Sequence, residues 1–557
     1  MNKNIAVGGE DFITLRKSNS YYVDKTELLY ELVQETNNTV TLFTRPRRFG
    51  KTLTMSMIET FFSIFKKDST DVFNDLAVRK HSEFCGKWMS QYPVLFISLK
   101  DAEGRNFELA YDKLKSIIAR LCIKYSFLAD SDKVSPFDKD IFLKLSGQCG
   151  TESDVQNSLI TIMRMMNAAY GKKVILLIDE YDVPLAKANT NGYYRQMLDV
   201  IRGLMSTSLK TNEFLEFAVV TGCLRIPKES IFTGVNNFAS YSVLDEDFSE
   251  YFGFTDEEVS KMLTSFGLSD KEAVVREWYD GYLFGNTKVY CPWDVVNYVA
   301  TLLKRSNAKP QNYWENTSGN DAIKAFFDLP DIDVSEEFET LLNDGTIHET
   351  VSNSLTYDKA YESENNLWSI LLMTGYITPA KADESVEEGN QQIELKIPNR
   401  EIAGIFQSAV VDHFNKSVDQ QEIRDLMNAL WNADESAAST ILSDLLWNTI
   451  SYNDYKEDYY HAFLTGIFVG RGGYSVQSNK ERGLGRPDID LRDKKNRRAI
   501  IIEAKIADNE NRMEYYCDQA LEQIDKNEYA KNLNGYREIY CYGISFYQKS
   551  ALVKLKK

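Results

Sequence analysis

From about Tyr21 to Leu244, short apolar and β-branched runs alternate with longer stretches of helical period. The runs are Thr39 to Phe43, Val94 to Leu99, Val174 to Ile178, Phe214 to Val220 and Tyr241 to Leu244. Between them, Ser153 to Tyr170 and Tyr193 to Ser208 have the length and apolar spacing of crossover helices. This alternation predicts a parallel sheet covered by helices, an α/β domain of doubly wound type over residues 1–245.

Past Asp245 the strand runs thin out. Residues 246–399 read as a helical lid or connector with aromatic clusters, Trp278 to Tyr282 and Tyr313-Trp314 among them. Lys381 to Gln392 is polar and acidic without helical or strand period, which predicts an exposed loop. A boundary is expected near Pro398, followed by helices over Glu401 to Asn448 and mixed strands and helices over Asp458 to Phe546, so that 400–557 form a second α/β domain.

Composition changes this picture little. A chain of 557 residues is too long for one hydrophobic core, in keeping with the division above. No run approaches the roughly 18 apolar residues of a membrane helix. Met1 to Glu10 lacks a basic segment followed by an apolar one. A cytoplasmic protein without membrane partners is expected. The seven cysteines form no CxxC pair and there are four histidines, which suggests neither a zinc site nor a disulfide framework. Net charge is −18, so nucleic acid could be gripped only locally. Two basic clusters offer that: Arg45, Arg47, Arg48 and Lys51, and Arg492, Lys494, Lys495, Arg497 and Arg498. For the second, a solvated turn explains the charges equally well.

Chemistry enters where Thr39 to Phe43 runs into RPRRFGKT, after which Leu53, Met57, Ile58 and Phe61 recur at helical spacing. Strand, loop and helix in that order can cradle phosphates. Backbone N–H groups around Arg48, Phe49 and Gly50 face the anion, Lys51 reaches the outer phosphates, and the Thr52 hydroxyl is a ligand for Mg²⁺. Arg45 stands where the usual pattern has its first glycine, and an ordinary turn would also account for GKT. The apolar run Val174 to Ile178 ends in Asp179-Glu180, which fits a Walker B strand, with Asp179 toward Mg²⁺ and Glu180 polarising water. A helix N-cap is the plain alternative. The two patterns together favour nucleotide binding. Thr221, at the end of a further strand, could sense the terminal phosphate. Arg225 could supply positive charge there or form a surface ion pair.

Near the C-terminus, Pro487-Asp488-Ile489-Asp490 precedes a basic turn, and Ala499 to Ile502 leads into Glu503-Ala504-Lys505. Residues two apart on a strand share a face, so Glu503 and Lys505 project together, with Asp488 on the preceding strand of a hairpin. Two carboxylates and a lysine suit metal-dependent phosphodiester hydrolysis, the acids holding Mg²⁺ and the lysine positioning water. Charged pairs in a surface hairpin are the competing explanation. A helix at Glu457 to Phe468, another at Asn511 to Asn527 and a strand at Glu538 to Ile544 complete an α-β-β-α-β order. His461 reads as a core histidine, and most Tyr and Phe as core or interface residues.

The segments YYVDKTELL, TRPRRFGKTLT, LLIDEYDVPL, TGCLRIPKESIF and WYDGYLFG resemble AAA-ATPase-like proteins, relatives of archaeal and STAND-type ATPases that are commonly fused to a PD-(D/E)XK nuclease domain. In that family the RPRRFGK form of the P-loop is usual. The resemblance implies a P-loop NTPase domain, a helical middle and a C-terminal restriction-endonuclease-like domain. It also implies ATP and Mg²⁺ as cofactors, Asp182 and Arg225 near the nucleotide, Glu457 as a further metal ligand and Gln523 as a helical glutamine of the nuclease site. The expected activity is an ATP-hydrolysing switch controlling Mg²⁺-dependent cleavage of nucleic acid, DNA before RNA, in defence or mobile-element biology, with a homo-oligomer possible. The alternative is a STAND-like regulatory or scaffold protein whose nuclease-like domain does not cut. A helicase or translocase lacks convincing motifs.

Overall fold

Five strands form the N-terminal sheet: β1 (Val40–Thr44), β2 (Val94–Ser98), β3 (Val174–Asp179), β4 (Leu215–Gly222) and β5 (Phe238–Tyr241). In this computed structural model the described residues are 4–556 except 35–38, 227–230, 233–237, 315–322, 324–334, 343, 361, 383–389, 418–419, 450–459, 461–462, 465–466, 469–474, 479–487 and 534. The strand order is β2-β3-β4-β1-β5 and every pairing is parallel. β1 and β3 are buried along their whole length, as expected of strands covered on both faces. Alternate side chains feed two cores. Leu42, Leu176 and Ile178 go to one, and Phe43, Ile175 and Leu177 to the other.

Two expected elements are displaced. The fifth strand ends at Tyr241 where the apolar run had suggested Tyr241 to Leu244. Ser242 and Asp245 instead close a turn in which Asp245 Oδ2 accepts from the Ser242 N–H and hydroxyl. The stretch Ser153 to Tyr170 is two helices, Glu152–Gln156 and Ser158–Tyr170, because a capping box at Thr151 starts a short first helix and Asn157 separates it from the second.

The chain divides into two compact units, Met1–Thr317 with His348–Ile402, and Ser318–Ile347 with Ala403–Lys557. Of the block 246–399, residues 318–347 fall in the second unit and the rest in the first. The block is not purely helical: it holds a hairpin, β6 (Tyr282–Phe284) and β7 (Thr287–Val289), and a small sheet of β8 (Ile347–Ser352), β9 (Thr378–Pro379) and β10 (Asn390–Lys396) in the order β8-β10-β9. The expected loop Lys381 to Gln392 runs into β10 at Asn390; of the rest, 383–389 lie outside the described residues. A third core gathers Val259, Met262, Tyr279, Tyr290, Val295 and Tyr298, the abundant aromatics serving as packing residues.

The second unit carries a five-stranded mixed sheet, β11 (Ser475–Ser478), β12 (Ile489–Asp493), β13 (Arg498–Ile506), β14 (Glu538–Tyr547) and β15 (Ser550–Leu555), hydrogen-bonded in sequence order. Only β13 and β14 run parallel, joined through the helix Met513–Lys526. β11 and β15 extend the expected α-β-β-α-β pattern at both edges. Gly543 lets that helix lie close on β14, since a Cβ there would stand 2.3 Å from the Cys517 carbonyl oxygen. Helices Gln420–Trp431 and Glu435–Thr449 belong to this unit and meet the sheet through bonds such as Tyr542 Oη to the Leu430 carbonyl (2.6 Å). Among the described residues no helix is long and apolar enough to cross a membrane.

Candidate functional site

β1 passes through residues 45–50 into α1 (Lys51–Phe62), which starts at Gly50 in a left-handed conformation, φ +83°. Arg48 is also left-handed, φ +71°, a strained geometry for a residue with a Cβ and one often held at binding loops. The Lys51 ammonium donates to the carbonyls of Arg45 and Pro46, both at 3.0 Å, and lies 3.5 Å from Glu180 Oε1. Burial works against its charge, but Cys223, Glu180, Asp182 and Asp179 outweigh burial and hold it protonated.

Arg45, at the position of the missing glycine, is fully buried. Its guanidinium donates to the carbonyls of Thr44 (2.9 Å) and Tyr241 (2.8 Å) and lies over the rings of Phe252 and Phe284. It ties β1 to β5. Burial pulls its pKa down to about 10. Arg45 and Lys51 are both buried, which leaves Arg47 and Arg48 as the accessible cations of the N-terminal basic cluster.

Because β4 lies between β3 and β1, the tips of all three strands meet. Asp179 Oδ2 accepts from the Thr52 hydroxyl at 2.8 Å and Asp179 Oδ1 from the Thr221 hydroxyl at 2.6 Å. Burial, then the neighbouring Glu180, raise the Asp179 carboxyl above its usual range, while these hydroxyls and Lys51 pull it back. Glu180 is left-handed, φ +53°, which turns its side chain toward Lys51. Its Oε2 is buried without a hydrogen-bond partner.

A cavity of about 560 Å³ opens beside the loop. Arg47, Arg48, Gly50, Lys51, Thr52 and Glu180 form its polar end. Its apolar end includes Ile5, Tyr21, Val23, Met262, Trp293 and Val296, and the Arg48 guanidinium stacks 4.0 Å over the Trp293 ring. Size and division into polar and apolar ends suit a nucleotide. Phe49 does not face the phosphate end alone, for its ring packs on Tyr282 and Phe284. Asp179, Thr221 and Arg225 are not among the lining residues; the first two lie behind Thr52. Arg225 meets the segment at Leu355, whose N–H donates to its carbonyl at 3.1 Å. Sequence reasoning gave Arg47 only as part of a basic cluster and missed the N-terminal segment and Trp293. RPRRFGKT itself offered Arg47, whereas nothing local marked the other two.

In the second unit, antiparallel pairing of Ile489 with Ile502 sets Asp488 opposite Glu503. Asp488 stands one residue before β12, not on it, and its Oδ2 accepts from the Ala504 N–H at 2.8 Å. Glu503 is buried, with Lys505 Nζ 3.9 Å from its Oε1. Gln523, from helix Met513–Lys526, donates to the same oxygen. The structure thus brings Asp488, Glu503, Lys505 and Gln523 together. Glu457, His461 and Pro487 lie outside the described residues. The basic turn is elsewhere: Asp493 to Arg498 caps the far end of β12 and β13, about 17 Å along the strand from Asp488. There Arg492 pairs with Asp490, and Arg498 with Asp493 while stacking on Trp431, so both cations are spent on the fold.

The sequence model of the predicted AAA-ATPase family matches residues 6–232, and that of the PD-(D/E)XK nuclease superfamily matches residues 455–556. An uncharacterized protein in the vnfD 5' region of Azotobacter chroococcum mcd 1 is 28% identical over 319 residues, covering 57% of this chain and 54% of that protein. The chain spans about half of that relative's length. The first match covers β1 to β4 of the parallel sheet with the phosphate loop, and the second covers the mixed sheet around Glu503. The chain therefore joins a domain of the predicted AAA-ATPase family to a C-terminal domain of the PD-(D/E)XK nuclease superfamily.

Proposed function

We propose that the N-terminal unit binds and hydrolyses ATP with Mg²⁺, and that this cycle controls Mg²⁺-dependent phosphodiester cleavage at Asp488, Glu503 and Lys505. Residues 1–245 would be the ATPase body, 246–399 the connector and 400–557 the cleaving part. The observation that carries the reading is the 2.8 Å contact between the Thr52 hydroxyl and Asp179, a hydroxyl and a carboxylate from two separate motifs meeting beside a cavity of nucleotide size. Thr52, Asp179 and Glu180 are hard oxygen donors that fit Mg²⁺, and the orphaned Glu180 Oε2 leaves an acceptor unused. When bound, Mg²⁺ supplies charge stabilisation to phosphoryl oxygens.

Lys51 exchanges the carbonyls of Arg45 and Pro46 for phosphate oxygens, Thr221 holds Asp179 in place, and Glu180 orients the attacking water and accepts its proton. In the second unit Asp488 and Glu503 would hold Mg²⁺, Gln523 fixes the Glu503 carboxylate, and Lys505 positions water and offsets developing charge. On the family resemblance DNA is the favoured substrate, and the protein would be cytoplasmic and a candidate for homo-oligomer formation.

The test is cleavage of plasmid, linear DNA and RNA by the full chain with Mg²⁺, with and without ATP. Wild type should cut at least one substrate, Lys505→Ala none, and Lys51→Ala should no longer respond to ATP. If wild type and Lys505→Ala behave alike on every substrate, the cleavage reading fails and the regulatory scaffold replaces it.

A further inference from the structure

Arg47 is a P-loop side chain whose position calls for a role. It lines the cavity beside Lys51 and Glu180, yet among the described residues its guanidinium makes no hydrogen bond or ion pair. Lys51, by contrast, is already held by two loop carbonyls. A planar fork of donors left unused at the phosphate end of a cavity is suited to anion oxygens. Cys223, Tyr357, Asp182 and Glu180 surround it electrostatically.

Asp182, whose charge Arg47 feels, is buried and lopsided in its bonding. Its Oδ2 accepts from the N–H groups of Cys223 and Leu224, both at 2.9 Å, and from the Tyr357 hydroxyl at 2.8 Å. Its Oδ1 is buried with no partner. Gly222 gives it room, since a Cβ there would approach Oδ1 to 2.7 Å. Tyr357 is itself anchored: its carbonyl accepts from Asn189 Nδ2 at 2.8 Å, and two residues earlier Leu355 bonds Arg225. This segment follows soon after His348, where the chain returns to the first unit from the Ser318–Ile347 excursion.

We infer that Arg47 binds the terminal phosphate of the nucleotide and that Asp182, locked by Tyr357, positions Arg47 for hydrolysis. The inference rests on the nucleotide reading above. Arg47 is then a catalytic residue, supplying in cis the charge that phosphoryl transfer requires, and Asp182 and Tyr357 are positioning residues. With three donors fixing one oxygen of Asp182, the other is presented in one orientation, as a second post for the guanidinium.

The test uses the full chain with Mg²⁺, fluorescent ATP and ADP analogues for affinity, and steady-state ATP hydrolysis. Arg47→Ala should keep its ADP affinity, lose the preference for ATP over ADP, and lower kcat by about 10³-fold, with Arg47→Lys recovering part of the loss. Tyr357→Phe, which removes one hydroxyl and keeps the ring, should lower kcat by about tenfold at unchanged KM. The assignment is overturned if Arg47→Ala retains the wild-type ATP:ADP ratio and kcat, or if Tyr357→Phe raises KM and leaves kcat untouched. A wild-type chain that binds neither analogue removes the nucleotide reading, and this inference with it; one that hydrolyses ATP as fast as both variants removes this inference alone.

Discussion

Replacing Glu401 by Gln should make the protein more stable at alkaline pH and leave it unchanged in mild acid. Glu401 and Asp294 are 0% and 1% exposed, and they perturb one another. The Trp314 N–H donates to Glu401 Oε1 at 2.7 Å, but Glu401 Oε2 and both oxygens of Asp294 are buried without a hydrogen-bond donor. Around them stand the Cys291 thiol and the Arg48 guanidinium on the Asp294 side, and Tyr279, Tyr282 and the Tyr313 backbone on the Glu401 side. Two carboxylates cannot both be ionised in such a site, so a proton is shared between them. Burial raises the affinity of each for that proton, and for Glu401 the charge of Asp294 adds to it.

The sign follows from linkage. A carboxyl whose folded pKa is raised keeps a proton that the unfolded chain has released, so stability falls as pH rises from the unfolded value of 4.5 through the folded one. Gln keeps the acceptor for Trp314 and gives Asp294 a permanent donor. Its gain at high pH should be about 1–3 kcal/mol, the cost of an unsatisfied buried polar group. Urea unfolding of wild type and Glu401→Gln from pH 5 to pH 9, followed by tryptophan fluorescence, measures it. Equal pH slopes, or a Gln variant less stable at every pH, would refute the shared proton. Asp294→Asn should act alike, and the double variant should gain less than the sum, because the two groups share one proton.

Two further substitutions probe the packing. Gly543→Ala places a Cβ against the Cys517 carbonyl and should lower the stability of the C-terminal unit by about 1–3 kcal/mol in a urea melt, whereas Gly535→Ala, with open space around it, should not. Arg45→Gly restores the glycine of the usual phosphate-loop pattern and should still be damaging, by about 3–5 kcal/mol in the same melt, because it leaves a void beneath Phe252 and Phe284 and strips the Tyr241 carbonyl of its donor; a stable Arg45→Gly would show that the buried guanidinium contributes nothing.

The parallel sheet was legible because each of its strands is a short apolar run with turn residues at its ends, and β1 with RPRRFGKT places strand, loop and helix in a single stretch of chain. The hairpin β6–β7 was not, since strands of three residues are too short to show an alternation. The fifth strand slid because Tyr241 to Leu244 is apolar enough for a strand while the Ser242–Asp245 turn, a matter of two polar side chains, decides where it stops. Arg45 looked like a defect in a motif because pattern matching asks what the phosphate needs; its guanidinium answers instead to Tyr241, nearly two hundred residues later in the chain.

The same distance in sequence hid the environment of Arg47. Asp182 sits in LLIDEYDVPL, but the residue that fixes it, Tyr357, lies 175 positions away, in a stretch with no pattern of its own. What local sequence specifies well is the part of a P-loop site that one strand, one turn and one helix can build, namely Gly50, Lys51 and Thr52. What it leaves dark is the part contributed by elements that must first fold and then arrive, such as Trp293 against Arg48 and Tyr357 against Asp182. A switch needs the second kind. Contacts made only after distant segments dock can be made or lost as a unit, whereas those within the loop persist for as long as the loop is folded. If the N-terminal domain is the switch proposed above, the long-range partners of the phosphate loop, and not the motif residues themselves, are where its control should be sought.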